Sequence, residues 1–313
     1  MSAVLSNDVI VSRSLGESRR QRRTVRWLYA PFMLLGVNGV GVWLATSGGS
    51  RLWLLVGVGL FASATSMVAE RLIPYEPEWN IPRDDGRRDT AHAVVNETIE
   101  VGAVIVLPVL VSAIGSQELW PGSWPFVVQV VLAVLVADAG ITFVHMASHK
   151  LGVLWRLHAV HHSIKRFYGF NGLMKHPLHA SIEMAAGTLP LMILGLPMRV
   201  AGMVALAVVV QLLMQHSNAD YTVGHLQTWL ALNEGHRFHH LKWPQAGDVN
   251  FGLFTLAWDH LVGTFSFDPD HRFSSDQLGI AVWPRYPTRW LDQMLAPFRP
   301  TDILLEPADE RAP

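Results

Sequence analysis

The feature that most constrains this chain is an apolar stretch that ends in histidines. Residues 138 to 162 read DAGITFVHMASHKLGVLWRLHAVHH. The histidines of this stretch are His145, His149, His158, His161 and His162. On an α-helix, residues three or four positions apart share a face. The first two histidines and the last three therefore each form a group on one helix face. Because neutral imidazole is the commonest metal ligand, the stretch predicts a metal site at the end of an apolar helix.

His145 and His149 form an HxxxH motif, and His158, His161 and His162 form an HxxHH motif. A second HxxHH motif, formed by His236, His239 and His240, follows later in the chain. Eight imidazoles exceed the four to six positions that one transition metal offers, so two metals are the economical interpretation. A lone histidine is more often a packing or surface residue, but three such motifs in order argue against chance.

Asp138 lies two helical turns before His145 and shares its face, where a carboxylate would hold a ligating imidazole in one tautomer.

The composition predicts an integral membrane protein. Half of the 313 residues are apolar and 16% are charged. The net charge is −1, and the chain has neither a basic stripe nor a nucleic-acid-binding motif, so we expect no nucleic-acid partner. The absence of cysteine excludes disulfides, thiolate zinc sites and cysteine-ligated iron–sulfur clusters. A metal must therefore be held by nitrogen, with oxygen as the other available donor.

Apolar runs predict about four transmembrane helices, at 27–45, 52–73, 99–115 and 126–147. Residues 182–214 are again apolar, but the arms on either side of Gly195-Leu196-Pro197 are short, which favours a re-entrant hairpin. Arginines crowd the end of the polar segment that precedes the first run. By the positive-inside rule they place the N-terminus and His145 on the cytoplasmic side.

The domain boundaries follow from these runs. They are a basic cytoplasmic tail at 1–26, transmembrane helices with an interfacial loop at 27–129, a histidine-bearing domain at 130–267 and a C-terminal cytoplasmic tail at 268–313.

Further short motifs accompany the histidines. They are Leu157-His158-Ala159-Val160-His161-His162-Ser163, Asn171, His176-Pro177, Gln215-His216-Ser217-Asn218 and Trp258-Asp259-His260-Leu261-Val262-Gly263-Thr264. Together these motifs resemble the fatty acid hydroxylase and sterol desaturase superfamily of membrane-bound, non-haem di-iron enzymes, over about residues 130–267. Glu70-Arg71-Leu72-Ile73-Pro74-Tyr75 with Trp79-Asn80 resembles the bacterial branch. One departure concerns the substrate side: the family often has Arg-x-His-Pro-x-Glu where this chain has Met174-Lys175-His176-Pro177-Leu178-His179.

The resemblance implies an all-α integral membrane protein whose cytoplasmic helical cap holds two iron ions, with O2 as co-substrate. It also places family histidines at His176 and His216. The predicted ligands are thus His145, His149, His158, His161, His162, His176, His216, His236, His239 and His240. The implied reaction is O2-dependent hydroxylation, or desaturation, of a lipid such as a fatty acyl chain or sterol. The electrons would come from an external reductase, ferredoxin or cytochrome, and the membrane would be the bacterial inner membrane.

Several alternatives stay open. Imidazole also suits zinc, which can occupy an iron site in a purified sample. A metal-dependent membrane hydrolase would need a carboxylate base, for which Glu234 is the nearest candidate. The other rivals are a non-catalytic metal-binding scaffold and a histidine-rich metal transporter. The transporter would need ionisable residues within several spans, whereas the predicted spans are nearly free of charge apart from Asp138. Asn250 either orients a ligand or the bound oxygen species, or serves an ordinary turn, and His179 is undecided. His92, His225, His260 and His271 are expected to be packing or surface residues.

Overall fold

The structure, a computed structural model, describes residues 20–47, 53–114 and 118–305. The described residues are helical and loop-like, with isolated β-bridges and no strand, which confirms the all-α prediction. The helices are α1 (Arg20–Thr46, π-helical at Phe32–Val37), α2 (Leu54–Leu72), α3 (Gly86–Ile114), α4 (Phe126–Lys150), α5 (Gly152–His162), α6 (Pro177–Ile193), α7 (Met198–Gln215), α8 (Asn233–His239), α9 (Ala257–Val262) and α10 (Trp290–Leu295).

Four of the described helices are long and apolar enough to cross a membrane: α1, α2, α4 and α7. Three of them confirm the predicted first, second and fourth spans. The predicted third span, 99–115, falls in the second half of α3, where most side chains lie outside the described residues. The first helix begins at Arg20, within the predicted tail, and arginine is a good helix former. Residues 1–19 of that tail lie outside the described residues.

Helix α7 is the centre of the membrane part, and it packs against α1, α2 and α4. Small residues allow close approach between helices, as is usual in membranes. A Cβ atom at Gly41 of α1 would collide with Met203 and Leu206 of α7. A Cβ atom at Gly140 of α4 would collide with the Ala186 carbonyl of α6. These glycines therefore set the spacing of the helices.

Helices α6 and α7 form the hairpin predicted at 182–214, but they are longer than the expected arms. They contain 17 and 18 residues, and their turn uses a left-handed Gly195 with φ of 87°. That turn lies beside Glu118, and the Arg199 guanidinium lies 5.7 Å from the ring centre of Phe126, the first residue of α4. The hairpin thus extends to the end of α4 that is remote from the histidines. Of the two arms, α7 alone is among the described helices that are long and apolar enough to cross a membrane, so the re-entrant hairpin stays a prediction.

The opposite ends of the helices meet the cap, which is formed by α5, α8, α9, α10 and the loops around them. Arg22 of α1 donates to the carbonyl of Leu72 at the end of α2, over 3.3 Å. Arg26 pairs with Asp220, which follows α7, at 3.1 Å. The cap has its own apolar core, which includes Trp79, Phe167, Met174 and Phe238. The histidines lie between this core and the ends of α4 and α7.

Candidate metal centre

Nine histidines converge in two groups where the membrane helices meet the cap. Site A consists of His145, His149, His158, His162 and His239. Site B consists of His161, His216, His236 and His240. Within each group the ligand-capable nitrogens all lie within 4.8 Å of one another. The structure therefore provides the two sites that the histidine count predicts.

The two HxxHH motifs contribute to both sites in a crosswise way. Helix α5 gives the first and last histidines of its motif to site A and His161 to site B. The second motif, on α8 and its C-terminal cap, does the reverse and gives His239 to site A. The cause is helical geometry, because residues four apart share a face while adjacent residues point about 100° apart. Each His-His pair thus straddles the two sites, and the rings of His162 and His240 stack at 4.6 Å.

A sharp turn at the end of α4 brings the first two motifs together. Leu151 leaves the helix with φ of −105° and ψ of 111°, and α5 begins at the next residue. The chain then doubles back, so that His158 faces His145 with their Nε2 atoms 2.9 Å apart. Likewise, His162 faces His149 at 3.1 Å.

These contacts cannot be an ordinary hydrogen-bond network. The Nε2 atom of His162 lies 3.0 to 3.1 Å from the Nε2 atoms of His149, His158 and His239. A neutral imidazole carries a single N–H, which can serve one of these three neighbours at most. The Nδ1 of His239 lies 3.0 Å from the Val249 carbonyl. Because a carbonyl only accepts, the proton of His239 is on Nδ1, and its Nε2 presents a lone pair to His162.

Other members of both sites have their tautomer fixed in the same way. His145 donates from Nδ1 to the Phe251 carbonyl at 2.8 Å, and His161 donates to the Met174 carbonyl at 3.1 Å. His216 donates to Oδ1 of Asn171 at 3.0 Å. Such outer partners are typical of metal-ligating histidines. Converging Nε2 lone pairs repel one another unless a cation lies between them, so the donor set fits a metal.

The distances between the nitrogens can be compared with those between two ligands of one metal. Two imidazole nitrogens bound at right angles to one metal at about 2.1 Å lie about 3.0 Å apart, whereas tetrahedral binding separates them by about 3.4 Å. In site B the Nε2 atoms of His236 lie 3.0 Å from those of His216 and 3.1 Å from those of His240. The three Nε2 atoms of site B therefore lie close enough together to bind one metal.

Burial keeps these histidines ready to bind metal. The cap histidines are 0 to 3% exposed, and burial lowers the pKa of His161 to about 3. Burial likewise holds the pKa of His158, His162 and His236 well below the ordinary value. Since desolvation disfavours the charged imidazolium, the rings stay neutral at pH 7 and their lone pairs remain available.

Asp248 supports site A and was missed as a candidate in the sequence. Its Oδ1 atom lies 2.8 Å from Nδ1 of His149, and its Oδ2 atom accepts from the Gln245 backbone at 3.0 Å. Asp248 thereby holds the imidazole of His149 in one tautomer, the role that the sequence analysis predicted for Asp138. The pairing joins residues 99 positions apart, and no local pattern around Asp248 reveals it.

The candidate role of Asp138 as the partner of an imidazole is wrong. Seven residues correspond to about 10 Å along a helix, so Asp138 and the ring of His145 are too far apart to bond. Its carboxylate instead accepts from the backbone of Leu253 and Phe254, and from the side chains of Thr255 and Trp258. Asp138 therefore anchors the segment that follows Phe251, the carbonyl partner of His145.

Asn250 serves a turn rather than a ligand. It has a left-handed backbone with φ of 54°, and its amide nitrogen donates to the carbonyls of Gly235 and Ser266. Its Oδ1 atom accepts from the backbone of Ser266 at 2.9 Å. These contacts agree with the turn role, one of the two roles that the sequence analysis left open for Asn250.

The family resemblance predicted His176 and His216 as additional ligands, and the structure places them differently. His216 belongs to site B. His176 lies outside both sites: its Nδ1 accepts from the Leu178 backbone as the N-cap of α6, and its Nε2 lies 3.2 Å from the Met294 carbonyl. The physical reason is Pro177, which starts α6 and leaves the preceding residue extended.

His179, which the sequence left undecided, lies beside site A. Its ring is 4.5 Å from that of His158, and its Nε2 lies 2.8 Å from Oγ of Ser148. With His158 and Glu183 it forms a third group of potential ligands. His92 is a packing residue, as expected, and its nitrogens contact the Lys175 carbonyl and Gln293.

An apolar cleft leads away from the histidines between α4, α6 and α7. Its apolar walls include Ile141, Met184, Leu191, Val204 and Leu212. The cleft reaches site B, since a Cβ atom at Gly172 in its wall would lie 3.3 Å from the His216 ring. A lipid chain fits such a wall, because it offers apolar contact along membrane helices.

A second opening reaches site A from the cap surface. It is lined by His149, His162 and His239, together with Trp155, Lys242 and Trp243. The Trp155 ring lies 5.1 Å from that of His149 and 5.3 Å from that of His162. The two sites are therefore approached from different directions, one apolar and one polar.

Comparison with known proteins identifies the family. The family model for fatty acid hydroxylase matches residues 130–264. The chain is 31% identical to the ornithine lipid hydroxylase OlsE of Rhizobium tropici over an alignment of 258 residues that covers 79% of this chain and 76% of that protein. It is 26% identical to the alkylglycerol monooxygenase of Danio rerio over 181 residues, which are 55% of this chain and 39% of that protein. No solved structure matches. The chain belongs to the fatty acid hydroxylase family.

Proposed function

We propose that this protein is a membrane-embedded oxygenase that hydroxylates a lipid. The observation that carries the proposal is the meeting of two imidazole sites with an apolar cleft between membrane helices. The reaction is R–H + O2 + 2 e⁻ + 2 H⁺ → R–OH + H2O, in which the lipid C–H bond is oxidised and dioxygen is reduced. The names of both relatives support hydroxylation over desaturation.

Two iron ions are the proposed cofactor, held by the five histidines of site A and the four of site B. Redox-active metal with dioxygen supplies the oxidant that amino-acid side chains lack. The names of the relatives, a hydroxylase and a monooxygenase, support a redox-active metal such as iron over zinc. The contribution of the chain is to fix the rings, to exclude water and to hold the lipid.

A hydrolase is less well supported. Two carboxylates lie next to site A: Glu183, whose Oε2 atom pairs with Lys175 at 2.6 Å, and Asp248, whose Oδ1 atom accepts from His149. Glu234, the candidate base, lines a different pocket together with Arg26 and Arg237. None of these three carboxylates is placed as a free base that could activate a metal-bound water.

The substrate enters from the bilayer through the apolar cleft, and electrons enter from the cap side. We place the docking of an external electron donor at the opening beside Trp155, where Lys242 would favour an acidic partner. We also place the cap in the cytoplasm of a bacterial inner membrane. The arginines at the start of α1 lie at this end, as the positive-inside rule requires.

The test is incorporation of labelled oxygen. The protein is expressed in bacteria that lack the activity but contain ornithine lipid, and the cells are grown under ¹⁸O2. The account predicts one ¹⁸O atom in a membrane lipid, absent with His161→Ala and retained with His225→Ala, an exposed histidine outside both sites. A lipid profile unchanged by the wild-type protein, although it binds iron and receives electrons, would contradict the proposal.

A further inference from the structure

The end of the apolar cleft nearest the histidines is polar. We call this end the cleft mouth and define it by Asn96, Glu97, Lys175 and Glu183. Lys175 directly follows Met174, whose carbonyl holds His161 of site B. Glu183 also groups with His158 of site A and with His179. A polar group that occupies the mouth therefore lies beside the metal sites, with the apolar cleft along α6 and α7 open to an attached chain.

Two of the four mouth residues, Lys175 and Glu183, form an ion pair with each other. The Nζ atom of Lys175 and Oε2 of Glu183 are 2.6 Å apart, and both side chains are mostly buried. His179 adds a contact of 3.6 Å from its Nδ1 to the same oxygen. This pair leaves no net charge for a ligand.

The other two residues offer acceptors that lack donors. Asn96 is 3% exposed, and its amide nitrogen donates to the carbonyls of Leu173 and Lys175 at 3.0 and 3.1 Å. Its Oδ1 atom has no hydrogen-bond partner in the described part of the chain. Glu97 is half-buried and forms no ion pair within those same residues. An unpaired buried acceptor costs free energy, so a ligand that supplies donors is favoured here.

The charges of the mouth residues favour a positively charged hydrogen-bond donor on the ligand. Counted as ionised groups, two carboxylates and one ammonium give the mouth a formal charge of −1. A primary ammonium brings three N–H donors and one positive charge, and it can serve both Glu97 and Asn96. A head group that is only anionic would instead meet the carboxylate of Glu97 and be repelled.

We propose that the cleft mouth binds the protonated amine of a lipid head group, with the Glu97 carboxylate and Oδ1 of Asn96 as its acceptors. This inference rests on the proposed lipid hydroxylase function and narrows its substrate class to amine-bearing lipids. The relative named as an ornithine lipid hydroxylase is consistent with it, since ornithine carries an amine.

The test uses two probes that differ only in the amine: an ornithine lipid with its free amine, and the same lipid with that amine acetylated. Dissociation constants are measured for the full-length protein in phosphatidylcholine nanodiscs, by displacement of a spin-labelled lipid. The wild type should bind the free amine about tenfold more tightly, the effect expected of one charge-assisted hydrogen bond. Glu97→Gln should abolish this preference and leave the affinity for the acetylated lipid within about twofold.

Glu118→Gln is the matched control, because Glu118 is an exposed acid at the opposite end of the helices. It should retain the preference of the wild type. Equal binding of both lipids by the wild type, failure of both to bind, or a preference that survives Glu97→Gln would overturn the inference. Labelling with ¹⁸O2 in parallel keeps the two proposals apart: labelled product without amine preference refutes only the inference, and amine preference without product refutes only the hydroxylase function.

Discussion

Asp248 gives the sharpest test of how the protein holds its metals. Its carboxylate fixes His149 of site A through Nδ1 at 2.8 Å, and it makes no such contact with site B. Removing a carboxylate behind a ligating histidine typically costs 10- to 100-fold in metal affinity, or about 1.4 to 2.7 kcal/mol. Because the Asp248 side chain is 44% exposed, water can partly replace it, and we expect a loss of about tenfold for Asp248→Ala.

The assay is competition for metal between the purified protein and a calibrated chelator, with both sites followed separately. Asp248→Asn keeps an oxygen that can accept from His149 and should lose less affinity than Asp248→Ala. Asp276→Asn, which removes an exposed acid outside both metal sites, should change neither site. Unchanged affinity at site A in Asp248→Ala, or equal loss at both sites, would refute the assigned role of Asp248.

Three further predictions follow from the same structure. His176→Ala should keep the full metal content by elemental analysis and should lose only the cap of α6, about 0.5 to 2 kcal/mol of stability; loss of one metal would instead make His176 a ligand. Gly140→Val should lower the yield of folded protein in size-exclusion chromatography, since its side chain meets the Ala186 carbonyl, whereas Gly57→Val, which meets open space, should not. Burial lowers the pKa of His161 to about 3 from its ordinary 6.5, so the unfolded apoprotein takes up protons below pH 6.5 that the folded one does not. Each such histidine then costs up to about 1.4 kcal/mol per pH unit, and the melting temperature of the apoprotein should fall steadily below pH 6.5; a flat profile from pH 7 to 5 would contradict this.

Much of the centre was predictable because helical spacing is local. The HxxHH spacing predicted that the three histidines of each motif lie on one helix face. It did not predict that the adjacent His161 and His162 belong to different sites, because that depends on the histidines that face them from other helices. The number of histidine sites followed from the count of histidines. Chemistry was equally predictable in class, since a chain without cysteine must use nitrogen or oxygen ligands.

The remaining features depend on contacts between distant parts of the chain. Asp248 reaches His149 across 99 positions, and Asp138 bonds a segment more than 110 positions away. His216 occurs outside the HxxHH motifs, and only the family resemblance indicated it. Gly195 suggested a turn, but how deep that turn lies depends on its packing beside Glu118.

The most direct test of the account is the iron content of the detergent-purified protein from iron-replete cells, measured with that of matched variants. The account predicts about two irons per chain, since the two imidazole sites each offer positions for one metal. His236→Ala, which removes a ligand of site B only, should lower this value toward one, and His225→Ala should leave it at two. Tightly held zinc with no iron after iron reconstitution, or iron content that does not respond to His236→Ala, would contradict the di-iron oxygenase.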